Sequence, residues 1–200
     1  MWTAAILAGG RARRLGGLDK SALRVGNESI LARQLRVLAT VTPNVMIVAD
    51  TASRFLDVGV RVVEDRIPNA GALGGLYTAL TNASTDRVIV IACDMPFLTA
   101  PFLTHLATAG VNMDAAIPCT AAGRHVLCAC YAAPVAARLK SCIEAGDRRV
   151  GDAIAGLNIR EIGPDELAAF DSEGRLLLNI NTPDDYALAQ EAAQSESPSV

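Results

Sequence analysis

The sequence predicts an α/β fold in which a mostly parallel sheet is covered by helices on both faces. Three observations predict it. Short, nearly continuous apolar runs recur along the first half of the chain, as strands buried on both faces require. Stretches of helical spacing alternate with them, which is the pattern of a parallel sheet with crossover helices. No repeat, low-complexity block or linker interrupts the 200 residues, so residues 1–194 are expected to form a single domain and the polar 195–200 a tail that frays.

Taken in order, Ala4 to Ala8 is an apolar run ending in Gly9-Gly10, a buried strand entering a loop. Ser29 to Thr40 places Ile30, Leu31, Leu35, Val37 and Leu38 at helical spacing. Val45 to Ala49 and Val60 to Glu64 read as the second and third strands. Gly74 to Ala83 reads as a helix, and Arg87 to Cys93 as the most apolar strand. Ala100 to Ala109 is a helix with Pro101 in its first turn, where a missing N–H costs little. Further on, Asp114 to Pro118, Val126 to Tyr131 and Leu176 to Ile180 read as strands. Pro134 to Ala145, Arg149 to Leu157 and Pro183 to Gln194 read as helices, the last capped by Asn181 or Thr182 with Asp184 and Asp185 in its first turn.

Hydrophobic residues make up 51% of the chain and aromatics only 4%, so Ala, Val, Leu and Ile must fill much of the core. Mean hydropathy is +0.30, but no apolar run approaches the ~20 residues that span a bilayer. The N-terminus lacks the basic region and small-residue cleavage site of a secretory signal, so a cytoplasmic setting and no membrane partner are expected. A net charge of −3 argues against a general nucleic-acid binder. The five cysteines, Cys93, Cys119, Cys128, Cys130 and Cys142, form no CxxC pair and read as reduced, buried thiols. A redox role has no spacing to support it.

Local positive charge is concentrated in Leu7-Ala8-Gly9-Gly10-Arg11-Ala12-Arg13-Arg14-Leu15-Gly16-Gly17-Leu18-Asp19-Lys20, where four glycines and four cations fall within fourteen residues after a buried strand. Glycines let backbone N–H groups approach a polyphosphate, and such groups cradle anions. Arginine and lysine neutralise its charge, the one as a fork and the other as a point charge. A loop beyond the carboxyl end of a strand is where open α/β sheets bind ligands. Two common phosphate motifs do not fit. A P-loop needs Gly-Lys-Ser/Thr, whereas Lys20 follows Asp19, and no G-x-G-x-x-G spacing occurs.

Leu7 to Lys20 resembles the LAGGxxxRxGGxDK signature of molybdenum-cofactor guanylyltransferases of the MobA type, within the nucleotidyltransferase superfamily. Asp65 followed by Gly71-Ala72-Leu73-Gly74-Gly75 resembles that family's Asp and Gly-Pro-Leu-Ala-Gly turn. Ala92-Cys93-Asp94-Met95-Pro96-Phe97 resembles its Cys-Asp-x-Pro motif, and Ala145-Gly146-Asp147-Arg148-Arg149-Val150 its Gly-x-Arg-Arg-Val segment. Asn179-Ile180-Asn181-Thr182-Pro183-Asp184 resembles its Asn-x-Asn-Thr-Pro segment. The matches fall in order along nearly the whole chain.

The resemblance implies a three-layer α/β/α Rossmann-like nucleotidyltransferase fold. It also implies transfer of GMP from GTP to the terminal phosphate of molybdopterin or the molybdenum cofactor, with Mg²⁺ and release of pyrophosphate. Transient contacts with molybdoenzyme maturation proteins are implied as well. Leu7, Ala8, Gly9 and Gly10 would contact the nucleotide through backbone groups. Lys20 would pair with the triphosphate, assisted by Arg14, with Arg11 and Arg13 unassigned. Asp94 would hold the metal, Asp65 would recognise base or ribose, and Arg148, Arg149, Asn179 and Asn181 would face the acceptor. No general base is needed, because the attacking phosphate is already anionic; positioning and charge neutralisation suffice. His105 and His125 are therefore expected to be non-catalytic.

Departures from the family pattern are Ala72 for Pro, Leu15 for Met, Val126 after His125 where His-Pro is common, and Asp50 where Asn is frequent. The alternatives are cytidylyl transfer to the same cofactor, transfer to another phosphorylated acceptor, or a non-catalytic nucleotide-binding or cofactor-delivery protein. Gly9-Gly10 and Gly16-Gly17-Leu18-Asp19-Lys20 favour the guanylyl branch. Intact Lys20 and Asp94 favour catalysis.

Overall fold

The computed structural model describes residues 1–9, 22–55, 57–65, 67, 70–171 and 173–196. In chain order its elements are β1 (Thr3–Leu7), β2 (Arg24–Val25), β3 (Glu28–Ser29), α1 (Ile30–Val41), β4 (Asn44–Ala49), β5 (Arg61–Glu64), α2 (Gly71–Asn82), β6 (Arg87–Ala92) and α3 (Ala100–Ala109). There follow β7 (Ala115–Thr120), β8 (Gly123–Arg124), β9 (Cys128–Ala132), α4 (Val135–Glu144), α5 (Val150–Ala153), β10 (Ile159–Ile162), α6 (Pro164–Leu167) and α7 (Pro183–Glu196). The main sheet has the order β5-β4-β1-β6-β9-β7-β10, with β8 hairpinned onto β7. Along that order every neighbouring pair is parallel except those made by β9, which runs against both β6 and β7.

The three layers follow from the two-residue period of a strand. In β1, Ala4 and Ile6 join one apolar cluster while Ala5 and Leu7 join another. Strand β4 divides the same way, Ile47 and Ala49 against Met46 and Val48, and β6 places Ile89 and Ile91 opposite Val88 and Val90. The first cluster is closed by Leu31 and Leu38 of α1 and Phe102, Leu103 and Leu106 of α3. The second is closed by Leu73, Leu76 and Leu80 of α2 and Leu139 and Ile143 of α4. Gly74 lets the first turn of α2 close against the segment before it; a Cβ there would stand 2.7 Å from the Ala70 Cβ, closer than real Cβ contacts allow, and 3.3 Å from Asp65 Oδ1. Helix α1 is capped by Ser29, whose hydroxyl accepts the Ala32 N–H at 3.2 Å.

Several expectations are corrected. Leu176 to Ile180 is not a strand. Leu176 drops into the first cluster and Ile180 into a third formed with α7 and the β2–β3 ribbon, so the segment crosses between cores instead of lying along a sheet edge. The helix read over Arg149 to Leu157 is only the four residues of α5, because Arg138 of α4 takes the Ala153 carbonyl at 2.7 Å and the Ala155 carbonyl as well. The β2–β3 ribbon, β8, β10 and α6 were not foreseen. The ribbon is held by distant α7, whose Tyr186 hydroxyl and Gln190 amide each donate to the Arg24 carbonyl at 2.8 Å. Gly26 turns it with φ of +61°.

Of the cysteines, Cys93, Cys128 and Cys130 are buried, but Cys119 and Cys142 are only half-buried. Burial pushes the Cys130 thiol up to about 11 and Cys128 higher still, so neither is a nucleophile near neutral pH. His105 bonds Glu166 through Nε2 at 2.6 Å and lies 4.9 Å from the Phe170 ring, tying α3 to α6. Among the described residues no helix is long and apolar enough to cross a membrane.

Candidate active site

The chain leaves β1 for β4 on one side, while β6 occupies the other side. Beyond the carboxyl ends of β1 and β6 there is therefore a topological switch point, the crevice where such sheets bind ligands. Leu7 is level with Val48 of β4 and Ala92 of β6. The Ala8 N–H donates to the Val48 carbonyl at 2.8 Å, and the Leu7 carbonyl accepts the Cys93 N–H at 3.2 Å. The Ala8 N–H is thus engaged by the sheet at the point where the chain leaves it. Gly9 is the first exposed residue past the ladder, and a Cβ there would meet nothing within 4 Å. Gly10, Arg11, Arg13, Arg14 and Lys20 lie outside the described residues.

Asp94 follows β6 in a turn directly across the crevice and is half-buried. Its carbonyl accepts the Ile180 N–H at 2.9 Å, which brings the Asn179–Asn181 segment to the same turn from far along the chain. Asn179 Oδ1 is buried there with no hydrogen-bond partner among the described residues. Asn181 is exposed, and its N–H donates to Asp185 Oδ2 at 2.9 Å. The Thr182 N–H donates to the same oxygen at 2.8 Å, and Thr182 Oγ1 accepts the Asp185 N–H at 3.2 Å. This reciprocal capping box makes Thr182, and not Asn181, the cap of α7.

Asp65 stands just beyond β5, its N–H donating to the Ala49 carbonyl at 2.8 Å. Its Oδ1 accepts the hydroxyl of fully buried Thr78 on α2 at 2.9 Å. Asp65 is therefore clamped to α2 and not the solvated loop charge that a surface carboxylate would be. Thr78→Val is expected to cost about 1–3 kcal/mol, because the hydroxyl is lost beside a carboxylate; urea denaturation measures it. Asp50, past β4, is exposed and pairs with Arg54 Nη1 at 2.7 Å.

Because β9 is antiparallel, α4 after it runs back toward the switch-point edge and delivers residues 145–149 there. The two arginines then separate. Arg148 folds onto the end of α4, its Nη1 donating to the carbonyls of Asp147 at 2.7 Å and Ile143 at 3.3 Å. A cation there complements the dipole at the C-terminal end of α4. Arg149 is exposed at the head of α5 and makes no cap bond. His125, between β8 and β9, bonds Thr120 Oγ1 at 3.1 Å, and burial holds its pKa below the ordinary histidine value. Among the described residues no group of three or more His, Cys, Asp or Glu side chains could hold a metal.

Sequence reasoning missed Gln34 and Thr78. Gln34 is a polar residue on the apolar stripe of α1, in step with Ile30, Leu31 and Leu38, and that misfit was its only signal.

The doubly wound sheet, its reversed strand β9, and an acidic turn facing the glycine exit of β1 across the switch point define an α/β nucleotidyltransferase. Residues 4–159 match the family model described as the MobA-like NTP transferase domain. The chain belongs to that family. It is 36% identical over 196 residues to a protein of Chloroflexus aggregans, covering 95% of this chain and 94% of the relative. A protein of Pelotomaculum thermopropionicum is 31% identical, with 96% and 94% covered. Both carry the name "Probable molybdenum cofactor guanylyltransferase". Among solved structures, molybdopterin-guanine dinucleotide biosynthesis protein A from Archaeoglobus fulgidus superposes with a TM-score of 0.86 at 27% identity, covering 98% of this chain and 100% of that one.

Proposed function

We propose that this protein transfers GMP from GTP to the terminal phosphate of molybdopterin or the molybdenum cofactor. An oxygen of that phosphate attacks the α-phosphorus of GTP, the bond from the α-phosphorus to the bridging oxygen breaks, and pyrophosphate leaves with the electron pair. The observation that carries the reading is the Ile180–Asp94 hydrogen bond, which joins two separate family motifs at the crevice into which β1 empties. The names of the relatives supply the acceptor and the base.

Gly9 and Gly10 would admit the triphosphate, while Lys20 and Arg14 would neutralise the leaving pyrophosphate. Asp65, held rigid by Thr78, would orient the nucleoside. Arg149 would meet the acceptor phosphate, with Asn179 and Asn181 beside it and Arg148 bracing the turn. Mg²⁺ fits this donor set. It favours hard oxygens and is usually held by one or two carboxylates together with substrate phosphates, not by an all-protein cage. Asp94 supplies the carboxylate, and the idle, buried Asn179 Oδ1 lies one residue from the amide bonded to it. When bound, Mg²⁺ would offset charge building on the transferred phosphate. A cytoplasmic setting accords with this biosynthetic role, as would transient delivery to maturation proteins.

Pyrophosphate release measured with molybdopterin, Mg²⁺ and either GTP or CTP tests the reading. GTP is expected to be turned over in preference. Faster turnover of CTP would overturn the guanylyl assignment, and GTP binding without turnover would favour a delivery protein instead.

A further inference from the structure

We propose that Gln34 of α1 is a positioning residue, setting the Asp94 carboxylate against the nucleotide by bracing the turn from beneath. Gln34 is 2% exposed. Its Nε2 donates to the Ala92 carbonyl at 2.8 Å and to the Met95 carbonyl at 3.0 Å. These carbonyls flank Cys93 and Asp94, so one amide spans the turn and spends both its N–H donors on it.

Backbone bonds from the described strands and loops also tie the turn. The Ala92 N–H donates to the Leu127 carbonyl at 2.8 Å, the Cys93 N–H to Leu7, and the Asp94 carbonyl accepts Ile180. Gln34 adds the tie from the helix layer. Its own Oε1 is buried without a hydrogen-bond partner among the described residues. An idle buried acceptor costs free energy, and a leucine or methionine would fill this place on an apolar stripe without that cost. The amide is therefore explained by its two donors. Rotating it by half a turn would face an oxygen toward two carbonyls, so its orientation is fixed. Glutamine has both the reach and the two donors, which a carboxylate of the same length lacks.

This inference rests on the reading of Asp94 as the metal-binding carboxylate, and its test separates the two. Gln34→Met keeps length and volume while removing both donors and the idle acceptor. The folded variant is expected to need about 10- to 100-fold more Mg²⁺ for half-maximal transfer, the usual effect of losing a group that orients a metal ligand. Calorimetry should find GTP binding weakened by a similar factor with Mg²⁺ and unchanged without it. Amide exchange at Cys93 and Ile180 should quicken. Gln34→Asn, which keeps the amide but shortens its reach, reports the same way if methionine disrupts folding. An unchanged Mg²⁺ requirement in the folded fraction, with or without lost thermal stability, would make Gln34 a core filler and overturn the proposal. Asp94→Asn measured alongside divides the failures. If it shifts the Mg²⁺ requirement and Gln34→Met does not, only the role of Gln34 falls. If Asp94→Asn leaves the requirement intact, the reading of Asp94 falls first.

Discussion

Replacing Asp94 by asparagine is expected to lower turnover about 10²- to 10³-fold, the range seen when one preorganised electrostatic contact to a transition state is removed. The substitution preserves shape and leaves the backbone untouched. The Ile180–Asp94 bond uses the main-chain carbonyl, and Gln34 grips the carbonyls on either side of Asp94. The negative charge is lost while the side chain keeps its shape, and circular dichroism and thermal denaturation of the variant separate a fall in rate from a folding defect. The charge matters because the chemistry leaves little else for the protein to do. Nucleophile and leaving group are both phosphate oxygens, so the barrier is lowered by placing charge correctly. Excess Mg²⁺ should restore part of the rate if the carboxylate acts through the metal. A variant with wild-type turnover across the Mg²⁺ titration would remove Asp94 from the mechanism.

The elements legible in the sequence were those whose fate is decided by their own residues. Strands β1, β4 and β6 are buried on both faces, so their side chains are apolar at nearly every position and the run itself announces them. Ser29 and Thr182 cap helices through neighbours three residues away, a distance that a local pattern contains. Strand β10 escaped because Ile159-Arg-Glu-Ile162 sits at the sheet edge, where its exposed Glu161 pairs with Arg124 of β8. The β2–β3 ribbon escaped because its partner, α7, lies more than 150 residues further on. Leu176 to Ile180 misled because an apolar run also arises when a segment feeds two different clusters.

The site divides in the same way. Asp94 and the Asn179–Asn181 segment could be named from motif order, but what joins them is a main-chain bond that no residue type encodes. Asp65 could be named, whereas its clamp on Thr78 depends on how α2 packs. Arg148 and Arg149 could be named together, whereas the bonds from Arg148 to the end of α4 depend on how the chain turns after that helix. Gln34 was the most visible of the missed residues, since a polar side chain on an apolar stripe is a conflict that tertiary structure has to resolve.

Lys20→Ala is expected to reduce kcat/KM for GTP about 10²- to 10³-fold, with loss in both nucleotide binding and rate. Leu7 is the last residue of β1, Ala8 is held to β4, and the chain is released at Gly9 between β4 and β6, opposite Asp94. The following Gly-rich stretch therefore starts at the crevice, with Lys20 as its final cation. A compact ammonium suits a triphosphate because its three donors can follow charge as it shifts onto the leaving pyrophosphate. The protein as a whole offers no substitute, since its net charge of −3 gives no general attraction for a polyanion. Lys20→Arg is expected to recover binding more than rate, because a planar fork keeps the charge but not the point geometry. Arg14→Ala measured in parallel sets the scale, with a smaller loss concentrated in KM if it only assists. Wild-type kcat/KM in folded Lys20→Ala would assign the phosphate grip to the arginines and overturn the role given to Lys20.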